Sequence, residues 1–125
     1  MHQRPSAERH RPSVVVRCTV PGADSVRGIR AGLEEEGVPV RVEPAPSDDA
    51  AVLAFAAAQA SSLGVGIGVD DAGTVCLHHA KRPPGSPVLS GPPAVARVLG
   101  HNAARLVVGL PLKTLPDWQG APFEE

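Results

Sequence analysis

Aromatic residues are nearly absent from this 125-residue chain: Phe55, Trp118 and Phe123 are the whole set, and there is no tyrosine. A platform for unpaired bases needs several aromatic faces along a basic groove, so single-stranded nucleic acid is a poor candidate ligand. An excess of one charge is missing too. Twelve basic residues stand against thirteen acidic ones, a formal net charge of -1, so no general field draws the chain to nucleic acid or to an anionic membrane. No apolar run approaches the length that spans a bilayer. Cysteine is scarce: Cys18 and Cys76 cannot make a disulfide framework, and a reducing cytoplasm is the default location. What remains is 42% hydrophobic residues, enough for one buried core and too many for a wholly disordered chain.

The 14 prolines and 13 glycines cluster, and the clusters mark boundaries. Residues 1–12 read as a disordered basic head, with Arg4, Arg9 and Arg11 against the single acid Glu8 and no apolar stretch of a signal peptide. Residues 113–125 read as a flexible tail holding Trp118 and Phe123, either anchors for a partner's groove or a strap over the chain's own surface. Between them, 13–112 form a single α/β domain. Val14 to Val20 is too continuously apolar for a half-exposed strand and belongs inside a sheet. Pro21-Gly22 ends it, and a helix follows with Val26, Ile29 and Leu33 on one face and Gly37 as its C-terminal stop. Val38 to Val42 is a second strand, ended by the break from Pro44 to Ser47. An Ala-rich helix runs from Asp48-Asp49 to about Ala60, Gly64 to Val69 is a third strand, Thr74 to His79 a fourth, and Pro93 to about Val108 a last helix. This order predicts a three-layer α/β/α domain with a mixed, mostly parallel sheet. Only Asp70 to Gly73 separate the third and fourth strands, too few for a crossover, so Thr74–His79 is the one antiparallel strand.

The run Gly64-Val65-Gly66-Ile67-Gly68-Val69 invites a dinucleotide-binding reading, but that loop needs its glycines between a strand and a helix N-terminus. Here they lie within a strand, and the pattern predicts close approach of a helix or partner backbone. His78 and His79 point to opposite faces of a strand and cannot share one ion. Cys76 shares a face with His78, yet the pair falls short of a structural zinc ligand set. No Ser–His–acid arrangement and no acid/base pair with a cleft can be placed, so composition and spacing give catalysis no support.

Glu34-Glu35-Glu36 is the most informative triplet. It closes the first helix, where the macrodipole disfavours carboxylates, and such violations of a local rule are expected at functional sites. Glu34 has Arg30 one turn back as a partner. Glu35 lies roughly 150° from the buried face and has Ala31 one turn back, so it reads as outward and unpaired. Such a carboxylate suits a hard cation such as Mg²⁺ held jointly with another chain, or a basic partner; a solvated acidic helix end is the plainer alternative. In the last helix Asn102 falls on the inner face with Leu99 and Leu106, where its amide needs hydrogen bonds, and the Lys81–Pro93 connection is a candidate to receive them. Arg97, His101 and Arg105 project elsewhere and, with Lys81 and Arg82, read as a basic patch.

Four segments together resemble a known family: Leu33-Glu34-Glu35-Glu36-Gly37-Val38-Pro39; Leu63 to Val69; Leu77-His78-His79 with its proline loop; and Gly100-His101-Asn102-Ala103-Ala104-Arg105-Leu106 through Pro111. They are similar to the small subunit of the reactivating factor for coenzyme B12-dependent diol and glycerol dehydratases, over about Val14 to Leu112. The chain departs from that pattern at Val108, where a lysine is common, and at Leu112, where an aromatic is. The resemblance implies a non-catalytic, chaperone-like subunit that pairs with a large, actin-like ATPase subunit, with two copies of each. It further implies release of damaged cobalamin by exchange with the dehydratase's own medium subunit. It places Glu35 as a Mg²⁺ ligand shared with the large subunit, puts Glu34, Glu36, Asn102 and Arg105 at the partner interface, and implies neither cobalamin nor nucleotide bound by this chain alone. Nucleic acid and membrane are not expected partners. A bacterial microcompartment stays open as a location within the cytoplasm. Two other readings stand beside it: a short medium subunit of the dehydratase itself, which ordinarily carries a longer N-terminal extension, and an unrelated α/β binding module sharing the fold alone.

Overall fold

The structure, a computed structural model, describes residues 11–115. Strand β1 (Val14–Cys18) leads through helix α1 (Asp24–Glu35) to β2 (Val40–Pro44), and helix α2 (Ala50–Ala60) leads on to β3 (Val65–Val69). Strands β4 (Val75–His79) and β5 (Leu89–Gly91) follow, then a 3₁₀ turn over Pro93–Val95 and helix α3 (Ala96–Val108). The strands lie in the order β2-β1-β3-β4-β5. β1 pairs in parallel with both β2 and β3, and β4 runs antiparallel to β3 and to β5. The three-layer mixed sheet stands as expected, with β4 alone running against the rest. No helix among the described residues is long and apolar enough to cross a membrane.

One face of the sheet carries the main core. Val14, Val16, Val65, Ile67 and Leu77 bury themselves there against Val26, Ile29 and Leu33 of α1 and Leu99 and Ala103 of α3. The other face takes α2, and here the alternate glycines of β3 find their use. A Cβ on Gly66 would fall on the backbone of Ala57 and Ala58, and one on Gly68 on Ala50 and Ala54. Seven of the eleven residues of α2 are alanine, so a helix almost without side chains lies against a strand face without any. Cys76 sits on this face with Ala50 and Ala54, and burial pushes its thiol up to about 12. His78 is fully buried beside it, edge-on to Phe55. Its Nδ1 accepts from the His79 backbone N–H at 3.0 Å while Nε2 donates to the Pro84 carbonyl at 3.0 Å, an arrangement of the neutral ring that staples the proline loop to the strand.

Several expectations need correction. β5 lies inside the Lys81–Pro93 connection that was read as structureless; only three residues long and bracketed by prolines, it shows no alternation to detect. The second strand begins at Val40 and continues through Pro44, which is tolerated because β2 is an edge strand. Gly64 belongs to the turn before β3, with φ +74° and its N–H bonded to Ser61. The segment after α3 does not leave the domain at 112: Leu115 is 5% exposed and joins the core. The basic head up to residue 10 and the Trp118 and Phe123 anchors lie outside the described residues.

The β3–α2 contact makes a direct prediction. Gly68→Ala is expected to lower the stability to urea by about 3 kcal/mol or more, the upper end for overpacking, because helix backbone cannot rotate aside. Gly22→Ala, with open space around it, is expected to stay within about 0.5 kcal/mol. Equal midpoints for the two variants would contradict the contact.

Candidate functional site

Helices α1 and α3 cross as closely as α2 meets the sheet. A Cβ on Gly32 would meet Arg97, Gly100 and the His101 backbone N at 2.9 Å, one on Gly100 would meet Ile29, and one on Gly28 lies 3.1 Å from the Ala96 Cβ. Small residues one turn apart on each helix let the two backbones touch, and the side chains flanking the contact are thereby brought together. The flanking side chains are the acidic end of α1 and the first turns of α3.

Glu35 is therefore not unpaired. Arg97 Nε donates to its Oε1 at 3.1 Å, Arg97 Nη2 donates to Oε2, and His101 Nε2 lies 2.8 Å from Oε1. Glu36 Oε2 lies 2.6 Å from His101 Nδ1. His101 thus stands between two carboxylates. Hydrogen bonding from Arg97 holds the Glu35 carboxyl below its ordinary range, and hydrogen bonding from His101 does the same for Glu36. Glu34 pairs with Arg30 at 4.0 Å, as the one-turn spacing implies, and takes no part in the cluster.

The basic patch does not form as expected. Arg97 and His101 turn to the acidic triplet, Arg82 donates to the carbonyls of Ser86 and Pro87, and Arg105 donates to that of Pro111. Asn102 is fully buried, and its expected target was wrong. Its Nδ2 donates to the Lys113 carbonyl at 2.9 Å and its Oδ1 accepts from the Lys113 N–H at 2.6 Å, so it pins the segment after α3 and not the proline loop. It faces inward and bears on a partner surface only through that segment. Sequence reasoning missed Arg97 and His101 as the counter-charges. The available signal was the pairing of Gly28 and Gly32 on one helix with Ala96 and Gly100 on the other.

As a donor set the cluster is oxygen-rich and open on one side. No group of three or more His, Cys, Asp or Glu side chains among the described residues is arranged to hold a metal ion. A carboxylate offers roughly four lone-pair positions, and three of those on Glu35 are engaged, which leaves one on Oε2. That is what a carboxylate contributing a single ligand to a shared hard-cation site requires.

The family model for the dehydratase medium subunit matches residues 11–113. The chain belongs to the dehydratase medium subunit family. Within the family it is similar to the propanediol dehydratase-reactivating factor small subunit of Citrobacter freundii, 34% identical over 106 residues that cover 82% of this chain and 90% of the relative. A solved glycerol dehydratase reactivase chain superposes with a TM-score of 0.78 at 35% identity, covering 83% of this chain and 98% of that one. A diol dehydratase-reactivating factor complexed with ADP and Mg²⁺ gives a TM-score of 0.74 at 29% identity, covering 83% and 99%. The acidic triplet, the glycine strand and the Asn102 helix all fall inside the region this family member shares with its relatives.

Two outcomes are expected for this family member in isolation. Because the folded-state values of Glu35 and Glu36 lie below those of the unfolded chain, the unfolded state binds more protons between the two, so stability falls with falling pH there. The contribution is fully present above the unfolded glutamate value of about 4.3 and is lost as pH drops through the folded values. Urea midpoints measured from pH 6 to pH 2.5 should therefore decline less in the Glu35→Gln/Glu36→Gln double variant than in the parent, and parallel curves would refute this. Asn102→Ala should cost about 1–3 kcal/mol by stripping both backbone partners from Lys113; an unchanged urea midpoint would show that the clamp carries no stability.

Proposed function

We propose that this chain is the small, non-catalytic subunit of a reactivating factor for a coenzyme B12-dependent diol or glycerol dehydratase. The observation that carries the reading is the near-complete span of two reactivase chains, 98% and 99% of their lengths, at TM-scores above 0.7. ATP turnover belongs, on this reading, to a large partner subunit. The chain acts by binding, holding that subunit on one side and taking the place of the structurally similar dehydratase medium subunit on the other, so that damaged cobalamin is released. A mixed sheet with one helix pair on one face and a bare alanine helix on the other provides rigid surfaces for such exchange. Neither cobalamin nor nucleotide is bound by this chain alone.

Glu35 is the proposed Mg²⁺ ligand, one oxygen donor completed by the large subunit and by water. A relative's complex contains ADP and Mg²⁺, and the ionised Glu35 with its one open lone-pair position has the donor chemistry the ion needs. The exposed Glu34, together with Glu36 and Arg105 around it, forms the surrounding contact surface, with Asn102 fixing the segment beneath. Location in the cytoplasm, in or near a microcompartment, accords with this role.

A tagged copy purified from its host in Mg²⁺ and ADP is expected to bring down an ATPase subunit. Glu35→Ala should weaken that association by about tenfold or more in Mg²⁺, the size expected when a cation site loses a ligand or its support. Recovery of dehydratase large and small subunits without the ATPase would instead make this chain a medium subunit, a reading that the family's own description keeps in play.

A further inference from the structure

The three acids that end α1 are held in three different ways. Glu34 is loosely paired within its own helix, and Glu36 meets a single nitrogen of His101. Glu35 alone is gripped across the helix crossing by a guanidinium fork, with the second nitrogen of His101 added on Oε1. A fork of two parallel N–H donors fixes the plane of the carboxylate as well as its position, which a single hydrogen bond does not. Two donors on Oε1 and one on Oε2 leave Oε2 as the oxygen with room for another partner.

We propose that Arg97 is the positioning residue of the cation contact: by gripping Glu35 from α3 it presents Oε2 as a fixed, single-point donor to a divalent cation shared with the large subunit. The inference rests on the assignment of Glu35 given above and adds the residue through which Glu35 is aimed. An exposed glutamate in the last turn of a helix samples several rotamers, and ordering it on binding is costly. Arg97 removes that cost beforehand. Its charge does not titrate in the accessible range, so the grip holds at any physiological pH. The opposing effect is repulsion between guanidinium and cation. That repulsion is weakened because Arg97 is 62% exposed and screened by solvent and salt. Groups that hydrogen-bond a metal-binding carboxylate typically contribute 10–100-fold to affinity, so positioning is the larger effect. The crossing at Gly32 and Gly100 makes the arrangement rigid, because Arg97 reaches Glu35 from a helix in backbone contact with α1 and not from a loop.

The test measures the affinity of the full chain for the large subunit with ADP, once in Mg²⁺ and once in EDTA, for the parent, Glu35→Gln, Arg97→Gln and Arg97→Lys. The quantity read is the gain on adding Mg²⁺. Arg97→Gln is expected to cut that gain about tenfold or more while leaving the affinity in EDTA near the parent's, and Arg97→Lys to recover part of it, since an ammonium reaches one oxygen and not two. Unchanged thermal midpoints of the free variants confirm that the fold is intact. If Arg97→Gln lowers both affinities by one common factor, or leaves the gain whole while Glu35→Gln abolishes it, the positioning role is overturned and Glu35 stands. If Glu35→Gln keeps the gain, or the parent shows none, the assignment of Glu35 fails and the role of Arg97 falls with it.

Discussion

Backbone-to-backbone contact is the constraint on which the rest of this domain depends. Twice in 105 residues a helix comes so near its neighbour that no Cβ fits between them: α2 on Gly66 and Gly68 of the sheet, and α1 on α3 at Gly32 and Gly100. Such contacts bury little side-chain area but fix separation and rotation closely, because neither surface has a rotamer to adjust. The first sets the thickness of the thin layer. The second decides which charged side chains meet, since Glu35 and Glu36 find Arg97 and His101 only at that distance. The chemistry of the candidate site is thus a product of residues that have no side chains.

Much of the architecture was legible. A β-branched run at Val14–Val16, a period-two alternation at Val65–Val69 and an apolar stripe at Val26, Ile29 and Leu33 each encode a local geometry that survives packing. The glycine strand was legible for its purpose as well, because three glycines at period two leave one face bare and a bare face has to be met by something. What escaped was short or non-local. β5 has three residues and borrows its regularity from β4, through pairs such as Leu77 with Leu89. Pro44 ended a strand on propensity, while an edge position removed the objection to it.

The site was legible by half. A helical wheel turns Glu35 outward because rotation per residue is a local property, and the one-turn rule pairs Glu34 with Arg30. Counter-charges 62 and 65 residues away are beyond any such rule. Asn102 was correctly placed on an inner face, since a buried amide announces a need for hydrogen bonds, but a need does not name its partner. The partner proved to be the backbone just past the helix, close in sequence and hidden by the turn at Gly109.

That clamp has a consequence for how the sequence can vary. Asn102 takes both of its bonds from the main chain of residue 113 and none from its side chain. It therefore measures where the chain is, not what it is. Lysine at 113 can drift to any residue that keeps a backbone N–H, with proline alone shut out, while Asn102 has no substitute of the same length offering both a donor and an acceptor. The polypeptide beyond α3 is in this way free to diversify in composition while its point of departure from the fold stays fixed.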